Sequence, residues 1–246
     1  QVTAPRFDAE AWAQWLGIDL HAAPASARPA SSDEGFRVDY FALRTPELVI
    51  ERRAFHNVTL GASRTDAGGF DANVVSDGVV GYIGWRPGPV GSIGGTSMGQ
   101  VTARLSKLVI PATKKDDLVG VLQAPTRQLP AFEVTVDSFE LGPTKYGKLD
   151  LVAANAGGNA WKLSRLEVTN PDMKVAANGE WSGAVGARRM KITFDLDTSD
   201  AGATLGRFGI PGALSRGHGK LDGNLEWSGS PFEIDYASLG GALTLQ

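Results

Sequence analysis

The chain of 246 residues contains no cysteine, so neither a disulfide framework nor a thiolate metal site is available to it. It has no apolar run approaching the roughly 20 residues that a helix needs to cross a bilayer, and its amino end lacks the charged and apolar regions of a signal peptide. Any membrane anchor of the parent protein is therefore expected outside this stretch. An excess of one charge is missing as well. Twenty-four Lys and Arg stand against 27 Asp and Glu, for a net charge of −3 and a pI near 5.7. That balance supplies no electrostatic reason to expect nucleic acid or an anionic membrane surface as partner. Histidine is scarce: His21, His56 and His218 stand alone, with no pair at the spacing of metal ligands on one helix. No cofactor is expected.

Glycine, by contrast, is plentiful at 31 residues, which suits many tight turns. Between Leu129 and Trp181 the apolar residues fall on every second position: Phe132, Val134 and Val136, then Leu149, Leu151 and Ala153, then Trp161 and Leu163, then Met173, Val175 and Ala177. This is the period of strands with one dry and one wet face. The breaks GPTKYG, NAGGN and TNPD between them are rich in residues that favour turns. The same alternation marks Phe36, Val38 and Tyr40, and Val101, Ala103 and Leu105.

Helical spacing is clear in two places, and ATKKDDLVGVLQAPTRQLP between the halves reads as a short helix or an irregular crossing with prolines at its edges. Ala11, Trp12, Trp15 and Leu16 share a face within Phe7–Ile18, and Ser199 or Asp200 is placed to cap a helix that holds Ala203, Leu205 and Phe208 and stops at Gly209 and Pro211. Four parts are expected: an amino-terminal helix and mobile loop over 1–34, a first β-groove repeat over 35–112, a crossing segment over 113–129, and a second repeat over 130–246 that continues beyond the chain end, with its short helix near 199–208. The repeat rests on a shared layout. Gly69–Trp85 followed by QVTARLSKLVIP matches Ala160–Trp181 followed by RRMKITFDLDTSD, and Trp227 closes a third, partial copy.

Several motifs resemble sites and read better as structure. Gly95, Ser97 and Gly99 match a nucleophile elbow, but that device needs a strand before it and a helix after it, and here an alternating strand follows. Asp195, Asp197 and Asp200 resemble the start of a calcium loop that lacks its glycine and closing glutamate. Asn57-Val58-Thr59 fits a glycosylation acceptor that matters only in a eukaryotic secretory setting. Arg188, Arg189 and Lys191 read as a solvated basic rim. No catalytic residue and no metal ligand is nominated, and the chain is read as a non-enzyme.

What remains is a sheet with one oily side. Each large apolar side chain left in water forgoes about 1.5–3 kcal/mol, so that face must be covered by a second sheet, by its own curling, or by a long apolar ligand. Acyl chains suit a trough, because each buried methylene contributes roughly 0.8 kcal/mol without a fixed polar partner. The segments LPAFEVTVDSFELGPTKYGKLDL and DAGATLGRFGIPG, GHGKLDGNLEW, and the Gly229-Ser230-Pro231 step before Leu239, Gly241 and Leu243 resemble the carboxy-terminal part of the AsmA-like bacterial envelope proteins, in particular the YhdP branch. FDAEAWAQWLG and the GWRPG…VTARLSKLVIPA layout resemble it more loosely.

That resemblance implies a mainly β fold: a curved, mostly antiparallel, open groove of repeats with a few short helices. It implies a periplasmic segment of a bridge-like carrier whose remaining polypeptide includes an inner-membrane anchor, with phospholipid acyl chains as cargo and inner- or outer-membrane proteins at its ends. The expected groove lining is Val134, Val136, Leu149, Leu151, Trp161, Leu163, Val175, Trp181, Ile192, Phe194 and Leu196. Two other classes remain open: a scaffold or chaperone for outer-membrane assembly that pairs client strands at its edges, and a closed β-sandwich binding module.

Overall fold

The computed structural model describes residues 2–8, 39–50, 53–88, 99–111, 129–157, 159–184, 186–231 and 234–246. The alternating runs become strands β1 (Val2–Thr3), β2 (Phe7–Asp8), β3 (Tyr40–Ile50), β4 (Arg53–Arg64), β5 (Phe70–Val75), β6 (Val79–Arg86) and β7 (Gln100–Ile110) in the first half. The second half holds β8 (Ala131–Leu141), β9 (Thr144–Gly157), β10 (Ala160–Thr169), β11 (Met173–Ser182), β12 (Arg189–Thr198), helix α1 (Ala201–Arg207), β13 (Gly219–Ser228) and β14 (Gly240–Leu245).

All fourteen strands among the described residues belong to one sheet. From β3 to β14 each strand lies beside its sequence neighbour, while β1 and β2 both flank β3. The pairing is antiparallel except where β1 and β2 meet β3 and where β7 meets β8. At that last pair the chain leaves the sheet at Ile110 and re-enters at Ala131 on the opposite edge, so both halves share one continuous ladder. The terminal strands do not pair with each other, and the sheet is open. Thirteen strands side by side, at about 4.8 Å per step, give a contour of roughly 60 Å.

No second sheet lies among the described residues, which overturns the closed sandwich as an architecture. Among the described residues the contacts between elements are concentrated between sheet neighbours, with a smaller contact of α1 on β9. Apolar side chains therefore gather in clusters along one face of a single layer: Phe7, Leu43, Leu48 and Val58 near one end, Ala103, Leu105 and Val136 at the centre, and Leu129, Trp181, Met190 and Trp227 toward the other end.

Glycines let this layer curve. Gly179 sits on the apolar face opposite Ile192, and a Cβ there would meet the Lys191 carbonyl oxygen at 2.3 Å. At Gly81, with φ of +141°, a Cβ would meet the Arg104 carbonyl oxygen at 2.4 Å beside a register shift. In both places the neighbouring backbone comes closer than a Cβ allows, which only a residue without a side chain permits.

The helix expected over Phe7–Ile18 begins differently: Phe7 and Asp8 pair with Leu48 and Val49 as β2. The gain is burial of Phe7 against Leu43, Leu48 and Val58. Residues 9–18 of that expectation, the loop to 34, the strand start at Phe36 and Val38, and residues 113–128 of the crossing segment lie outside the described residues. The second expected helix forms. Asp200 accepts a hydrogen bond from the Ala203 N–H at 2.9 Å as its cap, and Phe208 ends it.

Candidate functional site

Register decides which side chains share a face. Val134 lies opposite Leu151 and Val136 opposite Leu149. Leu149 faces Val168 across the next ladder, and Leu151 faces Leu166. Trp161 pairs with Trp181 and Leu163 with Gly179. Val175 pairs with Leu196, Ala177 with Phe194 and Gly179 with Ile192. The eleven residues expected along a groove therefore stand on one face, which forms the floor of a curved trough. Val136, Leu163 and Trp181 are buried, while the other eight are half-buried.

The same face runs on through residues not nominated from the sequence. Val101, Ala103 and Leu105 of β7 lie beside Phe132, Val134 and Val136, and Ile83 and Trp85 of β6 lie beside Ala103 and Val101. Their alternation is the signal that could have found them. Met190 and Trp227, paired with each other, extend the face on the far side.

The ends of the strands make two long edges. On the edge where β8, β10 and β12 begin, three indoles anchor the rim of the trough to backbone carbonyls. The Trp181 Nε1–H donates to the Gly229 carbonyl oxygen at 2.7 Å, Trp227 Nε1–H to that of Ser230 at 2.7 Å, and Trp161 Nε1–H to that of Pro130 at 3.4 Å. Arg188 lies over the Trp181 ring at 4.4 Å and is buried, and burial pulls its pKa down. This corrects the reading of Arg188 as part of a solvated rim: stacking on an indole keeps a guanidinium in place out of water. Arg189 and Lys191 do face solvent, Lys191 beside Glu226 at 3.7 Å.

On the opposite edge, where β8, β10 and β12 end, α1 lies across the ladder from β12 to β9. Thr204 is buried with its hydroxyl 2.8 Å from that of Thr198. Arg207 forms an ion pair with Asp172 and donates from Nη1 to the Lys145 carbonyl oxygen at 2.8 Å. The Tyr146 hydroxyl donates to the Arg207 carbonyl oxygen at 3.2 Å. Burial raises the Tyr146 pKa, with the Arg207 charge opposing. Phe139, Tyr146 and Phe208 follow one another in ring contact, with centroids 6.0 and 6.4 Å apart.

The reverse face of the sheet is polar. Arg86 clamps Asp71 with both terminal nitrogens, and the Tyr82 hydroxyl donates to the same carboxylate. These two partners hold the Asp71 carboxyl below the usual carboxylate range. Asp195 and Asp197 stand on this face, Asp197 at 3.4 Å from Lys220, and Asp200 is spent on the helix cap. Asn57 of β4, at φ of 54°, donates to Asp77 in the turn between β5 and β6, and His56 and His218 are exposed. Of the elbow motif, Ser97 lies outside the described residues, and β7 starts directly after Gly99. Among the described residues no three His, Asp or Glu side chains gather as metal ligands, and no helix is long and apolar enough to cross a membrane.

A trough lined by apolar side chains and polar on its outer face is the open, mostly antiparallel architecture implied by the resemblance. The family model described as YhdP protein matches residues 1–246. The chain belongs to the YhdP family. Neither a curated protein nor a solved structure matches it. The YhdP family is one of bacterial envelope proteins, and membership fits a bridge-like lipid-transport protein at the level of the family.

Proposed function

We propose that this chain is a segment of a periplasm-spanning, bridge-like lipid-transport protein whose apolar trough conducts phospholipids between the inner and outer membranes. It catalyses no reaction in this reading. Its partners are phospholipid acyl chains, the rest of the same polypeptide with its inner-membrane anchor, and membrane proteins at either end. The observation that carries the proposal is the shared apolar face, which passes from strand to strand from β6 to β12, across the parallel β7/β8 pair and across the register shifts within the ladders.

Along such a floor an acyl chain exchanges one set of aliphatic and aromatic neighbours for another of similar kind. Sliding then costs little, since apolar contact is non-directional and depends on area. Headgroups stay at the edges, in water.

Lipid extraction and mass spectrometry of the purified chain test the proposal. Phospholipid should co-purify. Leu151→Asp combined with Val175→Asp should lower its amount on the order of tenfold, because both charges enter the floor. Thr193→Asp, on the polar face, should leave it unchanged. A lipid-free chain, or equal lipid in all three proteins, would overturn the proposal, and co-purifying extended peptides in place of lipid would favour the strand-pairing scaffold.

A further inference from the structure

Strands β12 and β13 are antiparallel neighbours that pair from Thr198↔Gly219 onward, so a turn of a few residues would join them. The chain instead inserts residues 199–218, which make α1 and a return segment folded against it. The Ala201 N–H donates to the Gly217 carbonyl oxygen at 2.7 Å, and the Leu214 carbonyl oxygen lies 2.6 Å from where a Gly202 Cβ would stand. This insertion carries Phe208, Ile210 and Leu214 with half or more of their surface exposed. An insertion needed only to close the chain has no use for three large apolar side chains in water.

The rings connect this exposed surface to the trough. Phe139 packs against the central floor cluster of Ala103, Leu105 and Val136. Tyr146 contacts Phe139 on one side and Phe208 on the other, and Ile210 follows, its N–H held by the Leu205 carbonyl oxygen at 2.9 Å. Apolar surface thus leaves the floor at β8, passes over the edge at β9 and ends in solvent at Phe208 and Ile210.

We infer that the α1 insertion is a side port for a single lipid acyl chain, with Phe139, Tyr146 and Phe208 as its wall and Ile210 at its mouth. The inference rests on the lipid-conduit reading and adds a lateral branch to it. The Arg207 ion pair with Asp172 and the Thr198–Thr204 contact hold the wall in position at the edge. An acyl chain suits the port because the ring series offers contact area without a converging set of polar groups. Lys145, whose carbonyl receives the Arg207 bond, is exposed beside the port and leaves room for a headgroup in water.

The test uses unilamellar vesicles of phosphatidylethanolamine and phosphatidylglycerol in which the phosphatidylethanolamine carries a diazirine on one acyl chain. After illumination with the 246-residue chain, adducts are mapped by mass spectrometry of peptides. Adducts are expected on the floor at Leu151 and Val175 and also on Tyr146, Phe208 and Ile210. In Phe208→Ser, labelling at Ile210 should fall about tenfold with floor labelling unchanged, since roughly half a phenylalanine's contact area is lost from the port. Because the chain has no cysteine, a Thr198→Cys, Thr204→Cys pair can pin α1 to the sheet and should preserve the port labelling. Floor adducts without any at Phe208 or Ile210 in the pinned protein would overturn the port and leave the conduit standing. Absence of floor adducts would overturn both.

Discussion

The two long edges of the sheet are built from different materials. On one, Trp161, Trp181 and Trp227 lock their indole nitrogens to backbone carbonyls, and Arg188 lies on Trp181, so the edge is sealed by side chains that are themselves part of the core. On the other, a seven-residue helix is held by one ion pair, a threonine pair and a tyrosine hydroxyl, and the apolar residues beyond it stay in water. A single curved layer has two slots to close along its length. Closing one by core packing and the other by an attached element makes the first edge a matter of folding and leaves the second free to vary.

The comparison breaks most readily at Trp181, which is 2% exposed. Trp181→Ala should cost about 3–5 kcal/mol, since it opens a cavity and orphans the Gly229 carbonyl, and the loss should appear as a lower urea midpoint for the whole chain. Arg207→Ala on the second edge should cost only about 1–1.5 kcal/mol, because both partners of its ion pair are about a quarter exposed. Its signature should be local: hydrogen exchange accelerates in 201–207 and the ladder between β10 and β12 stays protected. Tyr146→Phe should do less, at about 1 kcal/mol or below, because the rings stay in contact and only the bond to the Arg207 carbonyl is lost. A global collapse from either edit of the second edge would erase the distinction.

A smaller effect comes from the clamp at Asp71 on the outer face. Its carboxyl is held below the ordinary aspartate value, chiefly by Arg86 and then by Tyr82. A depressed folded-state pKa gives stability that is present above the unfolded value and lost as pH falls through the folded one. The native chain and Asp71→Asn should therefore differ in thermal midpoint at neutral pH and converge only below about pH 4. Convergence nearer neutrality would show that the clamp is not formed in solution.

Much of the trough was legible because alternation is a local property. Each of the eleven nominated residues stands on the shared face, since a period of two assigns a side as soon as a strand forms. The same period sets the aromatic pairings: Phe70 pairs with Trp85 as Trp161 pairs with Trp181. The floor of the first half went unnominated although Val101, Ala103 and Leu105 carried the same signal. Arg188 was misread because a basic triplet beside a strand looks solvated, and nothing nearby in sequence marks the guanidinium that lies on a tryptophan seven residues earlier. The start of the amino-terminal helix failed at Phe7 and Asp8, where a sheet edge at Leu48 and Val49 offered the backbone a partner that helical spacing cannot reveal.

By itself the sequence determined that this protein is a sheet with one oily face, where its turns fall, and where one capped helix interrupts it, because side-chain period, turn chemistry and capping act over a few residues. Tertiary structure alone decided that both halves join in one open layer, that β7 and β8 run parallel, and that α1 reaches back to Tyr146 to line one edge. Those outcomes depend on pairings between residues far apart in the chain, 61 positions for the Tyr146 to Arg207 bond, and no local pattern encodes which distant strand will be the neighbour.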